Sequence, residues 1–273
     1  MPISHAEIIM GLQALELEQE SKVLVHASLP ALGDVEGGAQ TVIESLMAVT
    51  GTIVMPALTP QTMVWPPHGP ANNGVDYGAI DYQSLNAAAV FFTPDLPVFP
   101  GVGEIAEAFR QQPFTQRSSH PVASFTALGD EAEELLATQT IERPYGPVEW
   151  LQHHHGEVVL IGVDHTQNTS LHFAEYLAGR KQFIRWALVL EEGRGTAIEL
   201  PHFPGCSNGF NAIEAEIKNA TRTTTIGAAT AQRIPLELLI PTAVGWIDED
   251  PTALLCSDPA CSRCNDVRSA GRS

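Results

Sequence analysis

A chain of 273 residues, 44% hydrophobic and 17% charged, is long enough for one large α/β body with a filled core and too apolar to be disordered. Fourteen Lys and Arg against thirty-two Asp and Glu leave a formal charge of −18, which argues against nucleic acid and anionic membranes as partners, because both demand basic patches. The same balance suits a polycationic ligand, or serves only solubility.

Four cysteines are too few for a disulfide scaffold, and no stretch approaches the roughly 20 apolar residues of a membrane span. The opening MPISHAEIIMGL lacks the basic-then-apolar order of a signal peptide, so a cytoplasmic location is expected. The periodicity of Ile8, Ile9, Leu12, Leu15 and Leu17 predicts a short amphipathic helix. Residues 23–27, VLVHA, read as a strand with Ser28 at its carboxyl end. Gly33 and the pair Gly37-Gly38 lead into a helix over 39–49, with Gly51 as its expected cap, and residues 52–58 form the next strand. Strand, helix, strand over this length is a parallel crossover, and GDVEGG lacks the order of a dinucleotide fingerprint.

Residues 59–86 are long, polar and rich in proline and glycine; they are expected to cover the site as a substrate loop. A helix follows over 102–112, ended by Pro113. The approach RSSHP, with His120 held extended by Pro121, precedes an expected strand from Val122. It is either a holder of a phosphate or carbonyl, or a surface turn. Asp130 is expected to cap the next helix, and another is expected over 147–155. His153, His154 and His155 point in three directions on a helix and cannot share one ion.

Residues 158–163 are an unbroken apolar strand that opens into DHTQNTS and then a helix near Leu171, the arrangement in which open α/β sheets put their chemistry. His172 and Glu175, three apart, share a face. The histidine either satisfies a nearby carbonyl or acts as a general base, with Glu175 or Asp164 orienting it and Thr169 or Ser170 capping the helix. Residues 183–190 and 196–200, joined by EEGRG, read as a hairpin, so the sheet is expected to be mixed. Residues 210–220 read as helical, 223–230 as extended, and 235–248 as either strand or helix because of Pro241. The fold expected is a single-domain, three-layer α/β/α with a mixed central sheet over residues 1–273. With neither a G-x-S-x-G elbow nor an H-E-x-x-H, a lone histidine base points to a substrate that brings its own nucleophile.

Several blocks together carry a family resemblance: residues 23–46, 51–59, 101–110, 117–129, 145–151 and 158–178, with IGAAT near the carboxyl end. In that order they resemble the aminoglycoside 3-N-acetyltransferases, an antibiotic-resistance family with the antibiotic N-acetyltransferase fold, distinct from GNAT enzymes. The resemblance implies transfer of acetyl from acetyl-CoA to the 3-amino group of an aminoglycoside, with His172 as general base and Glu175 supporting it. It also implies that Ser28, Arg117, Ser119, His120 and Ser124 meet the coenzyme A arm, Arg117 as a phosphate partner. Asp76, Asp81 and Glu175 would then line an acidic cleft for a cationic amine. A monomer or homodimer is expected. An acyltransferase for another amine-bearing metabolite, or a non-catalytic binder of coenzyme A or a cationic sugar, are the alternatives.

The segment 256–264 holds Cys256, Cys261 and Cys264, which with Cys206 make a set suited to structural zinc; the other readings are reduced thiols or a redox pair.

Overall fold

The computed structural model describes residues 2–191 and 193–271. Ten strands occur among them: β1 (Lys22–Ala27), β2 (Thr52–Pro56), β3 (Met63–Val64), β4 (Gln116–Arg117), β5 (Phe125–Leu128), β6 (Glu157–Ile161), β7 (Phe183–Glu191), β8 (Arg194–Phe203), β9 (Arg222–Ile226) and β10 (Ala229–Pro235). The helices are α1 (His5–Ala14), α2 (Leu29–Leu32), α3 (Ala39–Val49), α4 (Tyr82–Ala88), α5 (Glu104–Arg110), α6 (Ala132–Ala137), α7 (Gly146–His153), α8 (Thr169–Leu177), α9 (Glu214–Ile217), α10 (Leu236–Glu249) and α11 (Ser262–Ala270). Seven strands build the main sheet in the order β4-β5-β2-β1-β6-β10-β9. A satellite sheet has the order β3-β7-β8.

Strand periodicity makes the layers. Leu24, Val54, Val158 and Leu160 face one side and pack with Leu135, Val148, Leu151, Phe173 and Leu239, which belong to α6, α7, α8 and α10. Their neighbours Val23, Val25, Ile53, Met55, Val159 and Ile161 face the other side, against Leu12 of α1, Leu46 of α3 and Phe109 of α5. Each such side chain contributes about 1.5–3 kcal/mol by leaving water, and both faces are apolar. The central strands therefore read as continuous hydrophobic runs.

The sheet is mixed as expected, but for a different reason. β1 runs parallel to β2 and β6, whereas β5 and β10 join antiparallel at either side. The hairpin β7–β8 lies outside this sheet and pairs with β3 instead. Of its turn EEGRG, Glu192 lies outside the described residues.

Other boundaries move. The stretch expected to be extended over 223–230 is broken by the two-residue turn of a second hairpin, β9–β10. Gly227 there has φ +59°, and a Cβ on it would stand 2.0 Å from Ile3 Cδ1. The α3 helix ends on Thr50 rather than Gly51, and Gly51 is required by a close approach: a Cβ would meet Gln19 O at 2.3 Å. Asp130 does not cap α6; Glu131 holds that position without a side-chain cap, its carboxylate taken by Lys22 and Thr52. Pro241 is carried inside α10, where burial of Leu236, Leu239, Ile240 and Ala243 outweighs the lost backbone bond.

Candidate active site

β6 ends at Ile161, and a short 3-10 turn (His165–Gln167) carries the chain to α8. Asn168, not Thr169 or Ser170, caps that helix: its side-chain oxygen accepts from Ser170 N at 3.2 Å. His172 then lies in the first helical turn. Its Nδ1 donates to Glu175 Oε2 at 2.9 Å, and the other carboxylate oxygen accepts from Arg180 Nη1 at 2.8 Å. Arg180 in turn donates to Pro251 O and Ala253 O. Glu175 is 2% exposed and Arg180 8%, so a buried carboxylate and guanidinium back a partly buried imidazole in one relay. The Phe210 ring meets His172 edge-on at a centroid distance of 4.8 Å. With Nδ1 committed, Nε2 is the ring atom left for chemistry.

His172 lines a cavity of about 230 Å³ whose walls include Leu58, His120, Tyr145, His202, Phe203 and Ser207. A second cavity of about 230 Å³ adjoins it, sharing Leu58, Gln167 and Thr169. A third, of about 730 Å³, opens beyond and shares Ala27, Gly101, Val102 and Val163 with the second. The three lie side by side over the carboxyl ends of β1 and β6, separated by these shared residues, with the histidine in the innermost. Glycines and small side chains dominate the outer part: Ala27, Ser28, Ala31, Gly101, Gly103 and Gly162.

Asp164 is bonded elsewhere than to His172; its oxygens take Thr166 N at 2.9 Å and Asn211 Nδ2 at 2.8 Å. These bonds hold its carboxyl below the usual range although partial burial works the other way. Ser28 lines the outer cavity, where its Oγ caps α2 by accepting from Ala31 N. His120 is buried, and its Nδ1 accepts from Ala123 N at 2.9 Å. Burial pushes its pKa down to about 4, so the ring is neutral with its remaining N–H at Nε2.

The expectation for Arg117 needs correction. Its guanidinium donates to Ser124 Oγ, Pro94 O, Leu96 O and Ala57 O, which ties the 94–97 segment to the end of β2. Four of its five N–H groups are spent on three carbonyls and a hydroxyl, which leaves no adjacent pair for a bidentate phosphate contact. Ser124 is wholly buried and donates to Ala57 O, and exposed Ser119 lines none of the three cavities.

The acidic cleft also differs from expectation, because no Asp or Glu among the described residues lines the His172 cavity. Asp76 accepts from Gly78 N in a turn, Asp81 caps α4, and Glu175 lies behind the histidine. The segment 59–86 is also missing from that wall; it ties to the satellite sheet through Asn73 and Ile184. Of the histidine triplet, His154 stacks on Trp150 and His155 pairs with Glu237, so they do not converge.

Sequence reasoning passed over His26, Arg180 and His202. His26 lies on β1, buried, with its pKa pushed down to about 3 by that burial, and its Nε2 accepts from Thr169 N at 3.4 Å. It thereby seats the start of α8. A histidine inside an apolar strand was the available signal. His202, at φ +59°, forms part of the cavity wall and stacks edge-on with Tyr176. Nothing local in sequence marks Arg180 as the partner of Glu175.

The sulfur ligand atoms of Cys206, Cys256, Cys261 and Cys264 all lie within 4.8 Å of one another. Zn–S bonds of about 2.3 Å would make a tetrahedron with edges of ~3.8 Å, so small side-chain rotations would close this set on an ion. All four are free thiols, two of them buried.

A sheet covered by helices on both faces, with a carboxylate-paired histidine at the carboxyl ends of its parallel strands, is the frame of an α/β enzyme site. The profile of the family described as aminoglycoside 3-N-acetyltransferase matches residues 24–248. The chain belongs to that family. Aminoglycoside N(3)-acetyltransferase IV of Salmonella sp is 27% identical over 92% of this chain and 89% of the relative. A prophage-derived aminoglycoside N(3')-acetyltransferase-like protein of Bacillus subtilis is 34% identical over 71% of this chain and 72% of the relative. Among solved structures, a histidine-to-alanine variant of aminoglycoside acetyltransferase AAC(3)-IVa in complex with a gentamicin superposes with a TM-score of 0.80. It is 26% identical, with 98% of both chains covered.

Proposed function

We propose that this enzyme transfers the acetyl group of acetyl-CoA to the 3-amino group of an aminoglycoside, with His172 as general base. The observation that carries the reading is the His172–Glu175–Arg180 relay, with His172 lining the inner cavity beside which the outer two open. The outer cavities suit an extended donor arm, and the inner cavity suits the amine. His172 Nε2 takes a proton from the amine as its nitrogen attacks the thioester carbonyl carbon. The C–S bond then breaks, and the leaving thiolate receives that proton from the imidazolium. Glu175 holds the tautomer and balances the transient ring charge. His120 Nε2–H is a candidate donor to the developing oxyanion. The charge of −18 supports long-range attraction of a polycation even though the described cavity wall carries no carboxylate.

The test is thiol release from acetyl-CoA with gentamicin. His172→Ala should lower kcat by about 10²–10⁴-fold, the range of general-base catalysis. An undiminished rate in that variant refutes the assignment. The carboxylate-free wall favours one second reading, an acceptor amine with fewer charges. A panel running from gentamicin to mono-amines, ranked by kcat/KM, separates the two.

Zinc is proposed at Cys206, Cys256, Cys261 and Cys264, in a structural role, because four thiolates leave no open position. Free thiols and the donor both suit the cytoplasm, where thiols remain reduced.

A further inference from the structure

The segment from Phe203 to Phe210 is a wall of the inner cavity: Phe203, Pro204 and Ser207 line it, and Phe210 packs on the edge of His172. Cys206 stands in the middle of this wall, one residue from Ser207 and two from Pro204. Residues 204–207 have no helix or strand of their own. Their ties run instead to the carboxyl-terminal segment. Arg263, between two of the thiols in sequence, donates to Gly205 O at 3.1 Å and sits over the Phe203 ring. Gly205 lies beside the relay, where a Cβ on it would be in ordinary van der Waals contact with Glu175 Oε2 at 3.9 Å. The same carboxyl-terminal segment reaches the relay from behind, where Pro251 O and Ala253 O accept from Arg180. The outer cavities are built from other parts of the chain. No residue of 203–210 or 251–264 lines either of them.

We infer that the metal bound by Cys206, Cys256, Cys261 and Cys264 is the anchor of the acceptor-side wall, so that metal occupancy sets acceptor binding and leaves donor binding unchanged. This rests on the zinc reading above and adds to it a function: a tetrahedral tie between a wall without secondary structure and the α11 segment. Without the ion, Cys206 is free to move, and neighbours joined to it by one or two peptide units of about 3.8 Å follow it. The donor side keeps its shape because backbone pairing of β1 and β6 holds it.

The test compares protein as purified, protein stripped of zinc by a chelator under reducing conditions, and stripped protein given Zn²⁺ again. Zinc content is measured in each state. Hydrogen–deuterium exchange then follows residues 203–210 and 25–31, and calorimetry follows gentamicin and free coenzyme A. Stripping should raise exchange in 203–210 but not in 25–31, weaken gentamicin at least tenfold, and change coenzyme A by less than twofold, all reversed by Zn²⁺. Unchanged exchange in 203–210 overturns the inference while the zinc reading stands. A uniform rise across the whole chain overturns it too, because the ion would then hold the fold rather than one wall. Zinc below one-tenth equivalent, with none taken up on addition, removes the zinc reading and the inference together. Arg263→Ala, which keeps all four thiols, gives a second check: zinc should be retained, exchange at 203–207 should rise, and only the acceptor KM should increase. No change in exchange and no change in acceptor KM would count against the anchor.

Discussion

The two ends of the row of cavities in this enzyme are built by opposite means. The outer end, between Ala27, Gly101 and Gly162, is framed by small residues and by backbone fixed in the parallel pairing of β1 with β6. The inner end is framed by side chains brought in from β8, α8 and the 203–210 segment, and is braced by single contacts to Glu175 and Arg263. A sheet ladder holds its geometry collectively, and losing one side chain disturbs it little. A wall braced contact by contact can be rebuilt by a few substitutions, which suits the part of an enzyme that distinguishes acceptors.

Arg180→Met tests the inner end most severely. It leaves Glu175 buried with only the imidazole as partner, and removing one member of a buried pair costs about 3–5 kcal/mol. Chemical denaturation should record that loss, and kcat should fall while the donor KM stays level. A parallel rise in donor KM would mean that the two ends are not independent.

Acid should act on both ends. Burial holds His26 at about 3, and His120 and His165 at about 4, against an ordinary 6.5. The unfolded chain therefore takes up these protons first. Stability is fully present above pH ~6.5 and is lost as pH falls toward 4, by about 1.4 kcal/mol per pH unit for each histidine. Thermal melts from pH 7.5 to 5 should show this slope. His26→Asn should flatten it by about one third; an unchanged slope would contradict the burial of His26 as a neutral ring.

The smallest effect is expected at the outer end. Gly162 has φ +65°, and a Cβ there would meet Ala31 Cβ at 2.5 Å. Gly162→Ala should cost about 1–2 kcal/mol of backbone strain and raise the donor KM with the acceptor KM unchanged. A rise confined to the acceptor KM would reverse the allocation of the two ends.

Much of this was legible in the residues. The apolar runs of β1, β2 and β6 made buried parallel strands the economical solution, and the spacing of His172 and Glu175 put them on one helical face. The four cysteines were legible as a set, although Cys206 lies fifty residues before the nearest of the others. The role of Arg117 was not legible, because a guanidinium's partners depend on which carbonyls the fold brings near, and here Ala57 and Leu96 arrive first. The acidic residues of 59–86 were equally opaque: a local turn and a helix cap absorb Asp76 and Asp81.

Sequence by itself determined what short range can encode: strand and helix period, the His172–Glu175 pair, and the family through blocks in fixed order. Tertiary structure decided the rest. It chose Glu175 over Asp164 as the partner of His172, gave Glu175 its guanidinium, and brought Cys206 of the inner-cavity wall to the three carboxyl-terminal thiols. The first two depend on distant partners, Asn211 taking Asp164 and the Pro251 and Ala253 carbonyls holding Arg180, and the third joins thiols fifty or more residues apart; periodicity carries no information about which distant groups will meet.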